Sequence, residues 1–301
     1  MSNPVERISW PLMTAGAIVT MAFSLSVHAV MLQGFHVPYP YNFPHTGLAR
    51  LPDEVLSVLG AMYLSAHLPE NIRRRSFVFR CAFMFLFLAT IHEDFFRGPF
   101  MEFINLSNFM LYPFVDNLPK LIPFAIIAVG VEYWTDRKTG IEATLIAAIP
   151  LAAVASLVIA PLSNHVFTGV LHFTEAREGH QRYGVPYDWH ILLPAYLTFF
   201  EPVIAAFVIG YAVRRQLPST PLLQFGITAA LVVALKGPVF AALLNIQYAG
   251  TTPSTAILSY AQFTFETVAL GILTAATLQM SLKEISTKDF RLSDHDEAAS
   301  T

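Results

Sequence analysis

The sequence predicts an all-α integral membrane protein, with about eight transmembrane helices and one interfacial or re-entrant helix after the third. Three observations predict it. The 301 residues are 54% hydrophobic and only 13% charged, about half the charge of a soluble domain. The mean hydropathy is +0.53. Apolar runs of roughly 20 residues recur along the chain, and a helix of that length crosses a bilayer with its backbone groups satisfied internally.

The first span covers residues 9–33. Val27-His28-Ala29 has the small-residue spacing of a cleavage site, but the apolar stretch exceeds the about 7–15 residues of a signal peptide, so it reads as a retained helix. Residues 34–50 form a loop rich in Pro, Tyr and Phe, with His36 and His45. Such aromatics suit a membrane interface. Asp53 and Glu54 after Pro52 signal a helix start. The apolar run that follows, 55–68, is short for a span, and Arg73-Arg74-Arg75 come directly after it. Residues 77–93 are the third span, closing on His92-Glu93-Asp94.

The aromatic segment 95–116, with Arg97 and Glu102, reads as the interfacial or re-entrant helix. Residues 118–134 make the fourth span and 141–162 the fifth, where Pro150 is expected to form a kink. A polar stretch holding His165, His172 and His180 leads at Trp189-His190 into the sixth span, which reaches Val213 and carries Glu201-Pro202. The seventh, 222–244, contains Lys236-Gly237-Pro238, and the eighth is 256–282. One polytopic domain thus covers 1–282, followed by a charged cytoplasmic tail, 283–301.

Charge sets the orientation. With eight spans and both termini inside, twelve of the 18 Lys and Arg residues fall on one side: Arg7, Arg73, Arg74, Arg75, Arg80, Arg137, Lys138, Arg214, Arg215, Lys283, Lys288 and Arg291. Five fall on the other: Arg50, Arg97, Lys120, Arg177 and Arg182. The bias places the first side in the cytoplasm and the chain in a plasma (inner) membrane. No basic stripe offers a nucleic-acid surface. The single cysteine, Cys81, forms no internal disulfide and no thiolate metal site.

In this topology eight of the ten histidines lie near the outer ends of helices. Imidazole is the commonest metal ligand and carboxylates complete such sites. His92, Glu93, Asp94, His165 and His172 are therefore the candidate ligands for copper, iron or zinc. His28 and His190 are the candidate cofactor-binding residues, and His28 with His92 is a second pair that haem would need. Three charges lie deep in apolar runs at similar depth: Glu201, Lys236 and Glu266. A charge there costs at least ~2.5–3.5 kcal/mol on insertion scales, so it needs a partner or water. Lys236 between the two glutamates would meet that need.

Three functions follow as expectations. The first is a membrane-embedded enzyme, an oxidoreductase, with a metal or haem site at the extracytoplasmic face and a lipid-like or small apolar substrate. The second is a proton-coupled secondary transporter using Glu201, Lys236 and Glu266. The third is a structural subunit of an oligomer or larger membrane complex.

Overall fold

Apolar sequence between turn signals becomes helix almost everywhere in the computed structural model, which describes residues 6–39, 47–105, 112–137, 140–173, 187–214, 217, 220–247 and 252–284. A short strand, β1 (Glu6–Ile8), leads into α1 (Trp10–Ala29), whose Pro11 sits in the first turn, where its missing N–H is not needed. A π-helical turn, Val30–Gly34, extends α1. Next come α2 (Gly47–Ala66), the single turn α3 (Glu70–Arg73) and α4 (Phe77–Ile91). The Ser76 hydroxyl starts α4 by accepting the Phe79 N–H. Helix α5 (Arg97–Asn105) follows a tight turn, and α6 (Tyr112–Thr135) runs back beside α4.

Helix α7 (Ile141–Ala153) passes through Pro150 and widens into π-helix at Val154–Ile159 before α8 (Ala160–Phe173). The irregularity expected at Pro150 therefore lies four residues later. Helices α9 (Trp189–Thr198) and α10 (Phe200–Arg214) are parted at Phe199. Pro202 has no N–H for the Thr198 carbonyl four residues back, and this opens the break. Helices α11 (Pro221–Lys236) and α12 (Val239–Leu244) are bent 62° apart at Gly237-Pro238. A 3-10 turn, Asn245–Gln247, follows. The long α13 (Pro253–Ser281) ends in β2 (Leu282–Glu284), which pairs antiparallel with β1.

Among the described residues five segments are long and apolar enough to cross a membrane: Trp10–Gln33, Asn117–Thr135, Glu142–Val170, Trp189–Arg214 and Pro253–Ser281. The bent pair α11 and α12 makes a sixth if it counts as one span. The other two of the eight expected spans do not reach that length and apolarity. Helix α4 has 15 residues, about 22 Å at 1.5 Å each, against a hydrocarbon core of about 30 Å. Helix α2 carries Arg50, Asp53 and Glu54 in its first two turns.

Helix α13 is the centre of the packing and touches α1, α10, α11 and α12. Small residues allow this, as membrane helices associate by close backbone approach. A Cβ on Gly271 would stand 2.9 Å from the Ala229 Cα on α11. Helix α2 lies inside the bundle against α6, α7, α11 and α12, with Val58, Ala61 and Leu64 fully buried. Large apolar side chains face outward, such as Ile146 at 71% and Leu222 at 79% exposure. A lipid environment accommodates them. At one end, Arg80 ties α4 to α6 through Glu132 at 2.9 Å and Asp136 at 2.5 Å, and Ser65 of α2 donates to Glu132. The β1–β2 ladder and the Ser9 N–H bond to Ser281 hold the start of α1 beside the end of α13. Backbone pairing thus includes Lys283 and Glu284, the first residues of the expected tail. The rest of that tail, from 285, lies outside the described residues.

Candidate functional site

The site is built on the turn between α4 and α5. The chain leaves α4 at His92, and Glu93 takes a left-handed conformation with φ 68°. That costs an L-residue about 1–2 kcal/mol, so the surroundings must hold it. They do so through the backbone. The Gly98 N–H donates to the Glu93 carbonyl at 2.8 Å, and the Asp94 N–H to that of Ala89 at 3.0 Å. Gly98 is required by close approach, since a Cβ there would meet the Asn117 Oδ1 of α6 at 2.9 Å.

Glu201 secures the turn from outside. Its carboxylate accepts the backbone N–H groups of Phe95 and Phe96, at 3.1 Å each, and that of Arg97. These are the orphan donors at the start of α5, and a carboxylate there also meets the positive end of the helix dipole. Arg97 returns the contact. Its guanidinium donates to the Ala195 carbonyl and, at 3.2 Å, to the Thr198 hydroxyl, both on the last turn of α9. The buried Phe199 ring at the break between α9 and α10 lies 5.1 Å from Arg97 and 5.9 Å from the Lys236 ammonium.

Lys236 is the last residue of α11, immediately before the 62° bend. Its ammonium lies 2.8 Å from Glu93 and 3.4 Å from Glu266 of α13. Glu93 also engages Arg97 at 2.5 Å. Two cations and two carboxylates from four segments thus form one chain, Arg97–Glu93–Lys236–Glu266. The sequence reading placed Lys236 between Glu201 and Glu266. The second carboxylate is Glu93 instead, because Glu201 is turned onto the backbone of α5.

This chain walls a cavity of about 370 Å³. Of the residues singled out in the sequence, His28, His92, Glu93, Asp94, Lys236 and Glu266 line it together. His28 packs tilted against Phe263 at 4.8 Å and His92 stacks on Phe124 at 4.8 Å, so each ring meets a phenylalanine rather than the other histidine. A second cavity of about 260 Å³ abuts the first and shares Lys236, His92 and Phe263 with it. Its wall carries Asp53, whose carboxylate accepts the Phe240 and Ala241 N–H groups at the start of α12.

The other candidates lie apart. His165 is exposed on α8, and His190 is exposed and 3.8 Å from Asp188. The side chain of His172 lies outside the described residues, as do His45 and residues 174–186. Among the described residues no three His, Cys, Asp or Glu side chains converge as a metal site would need. Of the consecutive candidate ligands, His92 packs on Phe124 and Glu93 pairs with Arg97 and Lys236, while the Asp94 carboxylate joins neither contact. Sequence reasoning missed Arg97 as a member of the charge chain. Its place four residues after Glu93 was the available signal. The chain matches no protein-family model, no curated protein and no solved structure, so its geometry alone carries the functional reading.

Proposed function

We propose that this chain is a proton-coupled secondary transporter of the plasma (inner) membrane, with its solute site in the cavity walled by Glu93, Lys236 and Glu266. One observation carries the reading: a lysine at a helix break, held between two carboxylates on a cavity wall. Many transporters build their sites from broken helices beside charges near the membrane midplane. The arrangement also supplies a coupling step. A proton on Glu93 or Glu266 weakens its hold on the Lys236 ammonium, so proton occupancy and the shape of the α11–α12 break are linked. The enzyme reading, with copper, iron, zinc or haem, has no converging ligand set among the described residues to support it.

The same reading takes eight crossings. Adjacent chain ends require an even number if both α1 and α13 cross. Five long spans and the bent pair make six, and α2 with α4 makes eight. The buried position of α2 and the arginines 73–75 beyond it favour eight, with both termini cytoplasmic. Helix α5 is then the interfacial or re-entrant helix, packed on α6 and α9.

The test is solute-evoked proton movement into liposomes holding the purified chain and a pH dye, across a panel of amines, carboxylates and sugars. At least one class should move protons, and Lys236→Ala and Glu266→Gln should abolish the signal. Folded protein that responds to no class refutes the reading.

A further inference from the structure

Pairing the charges on the cavity wall leaves one carboxylate over. Arg97 and Lys236 are engaged by Glu93 and Glu266. Glu102, also on the wall, lies 3.5 Å from Lys120 and accepts from Asn117 at 2.9 Å. Asp94 remains. Asp94 lines the cavity, and its carboxylate makes no hydrogen bond or ion pair among the described residues, with Lys120 and Lys236 acting on it as counter-charges and Glu93 and Glu201 as like charges beyond ion-pair distance. An unpaired carboxylate in such a place is costly unless a cation or a proton joins it.

The rest of the wall points to what joins it. Among the described residues the His28 Nδ1 and His92 Nε2 atoms have no hydrogen-bond partner, but both are closed to water, so the cavity meets other atoms of these two residues. The cavity therefore offers a carboxylate to a cation. Its aromatic side is continuous. Phe263 carries His28 on its face at 4.8 Å and meets Tyr39 edge-on at 5.7 Å, and Tyr196 lines the wall with its hydroxyl tied to Ser26 at 2.8 Å. Aromatic faces attract cations and bury apolar groups. An anion would find both wall cations already paired, with Arg97 spending further donors on α9. A bare inorganic cation would leave most of about 370 Å³ unfilled.

We propose that the cavity binds a small protonated organic amine, its ammonium on Asp94 and its apolar part against Phe263 and Tyr39. The proposal rests on the transport reading only for the amine's passage, since binding is tested without it. A monovalent ammonium balances Asp94, as Lys120 balances Glu102 from outside the cavity. Deprotonated amine lacks the charge, and a proton on Asp94 competes for the same carboxylate. Exchange of one for the other is the antiport stoichiometry this site would support.

The experiment is calorimetric titration of the detergent-purified full chain with phenethylammonium chloride, potassium benzoate, phenethyl alcohol and sodium chloride, each separately. Phenethylammonium should bind saturably and the other three at least tenfold more weakly. Asp94→Asn should weaken it at least tenfold and Phe263→Leu several-fold, each with an unchanged melting profile. Benzoate or the alcohol binding as well as the amine would overturn the proposal, even if Asp94→Asn fails to fold. So would sodium binding without the amine, or no binding by any probe. Amine binding with no proton movement in liposomes sustains this site and overturns only transport. Proton movement evoked by other solutes, with no amine binding, does the reverse.

Discussion

The Glu201 carboxylate accepts the backbone N–H of Arg97, 104 positions away in sequence, while the Arg97 guanidinium caps the helix that precedes Glu201. Glu201 thus caps the start of α5, and Arg97 caps the end of α9. The two contacts together fix the turn that presents Glu93 and Asp94 to the cavity.

Glu201 is accordingly expected to act in holding the turn rather than in carrying protons. Glu201→Ala orphans three backbone donors and should destabilise by ~1–3 kcal/mol. Glu201→Gln keeps one acceptor oxygen and should lose less. Thermal melting in detergent reads the stability order, wild type above Gln above Ala. In liposomes Glu201→Gln should retain solute-evoked proton movement where Glu266→Gln loses it. Equal loss in both would return Glu201 to the coupling machinery.

Lys236 is expected to be the most sensitive residue of the charge chain. Lys236→Met leaves Glu93 and Glu266 without their shared ammonium, and removing one partner of a buried pair costs ~3–5 kcal/mol. Adding Glu266→Gln removes one stranded charge and should recover part of that loss, since residues in one network couple by ~0.5–3 kcal/mol. Unfolding titrations of the two single variants and the double variant complete the cycle. A double variant no more stable than Lys236→Met shows that the two residues do not interact.

The helices were legible because apolar run length and turn residues act locally. Ser76, Pro221, Thr252 and the Gly237-Pro238 break all do in three dimensions what their chemistry implies in sequence. That Lys236 and Glu266 stand within apolar helical runs was legible for the same reason. Their partner was not. Whether Glu201 faces Lys236 or the start of α5 depends on rotation of α10 about its axis, and the break at Phe199 resets that rotation. The span count was open at the run 55–68, which α2 carries in the bundle interior, and the 15-residue α4 is shorter than the span expected at 77–93. The histidine pattern could not show convergence, because position near a helix end says nothing of where a side chain points. His28 and His92 do share a cavity, while His165 and His190 face outward.

Close packing of α11 on α13 sets a third expectation. Gly271→Val places side-chain carbon against the Ala229 backbone, which cannot swing aside, and overpacking of this kind costs ~1–3 kcal/mol or more. Gly226, on the same α11, has nothing within 4 Å of its Cβ position. Gly226→Ala should therefore be neutral or gain up to ~1 kcal/mol from helix propensity. Melting temperatures of the two variants should move apart. A Gly271→Val protein as stable as wild type would mean that the helices do not approach this closely.

Arg74 decides the number of crossings. It sits between α2 and α4 with its side chain 76% exposed and paired with Glu70 on its own turn at 2.6 Å. If α2 and α4 both cross, the chain passes outward through α1 and inward through α2, so Arg74 lies on the side of the termini. If neither crosses, Arg74 stays on the far side with the turn at 92–98. A cysteine at this position, Arg74→Cys, in a Cys81→Ser background gives one thiol for an impermeant maleimide. Reporter tags at each end mark the side of the termini in sealed vesicles of either orientation. Labelling should follow the tags, because three consecutive arginines are retained on the cytoplasmic face. Labelling from the opposite face would leave six crossings, with α2 and α4 as a hairpin inserted from outside. The cavity would then open beside a re-entrant pair rather than between full spans.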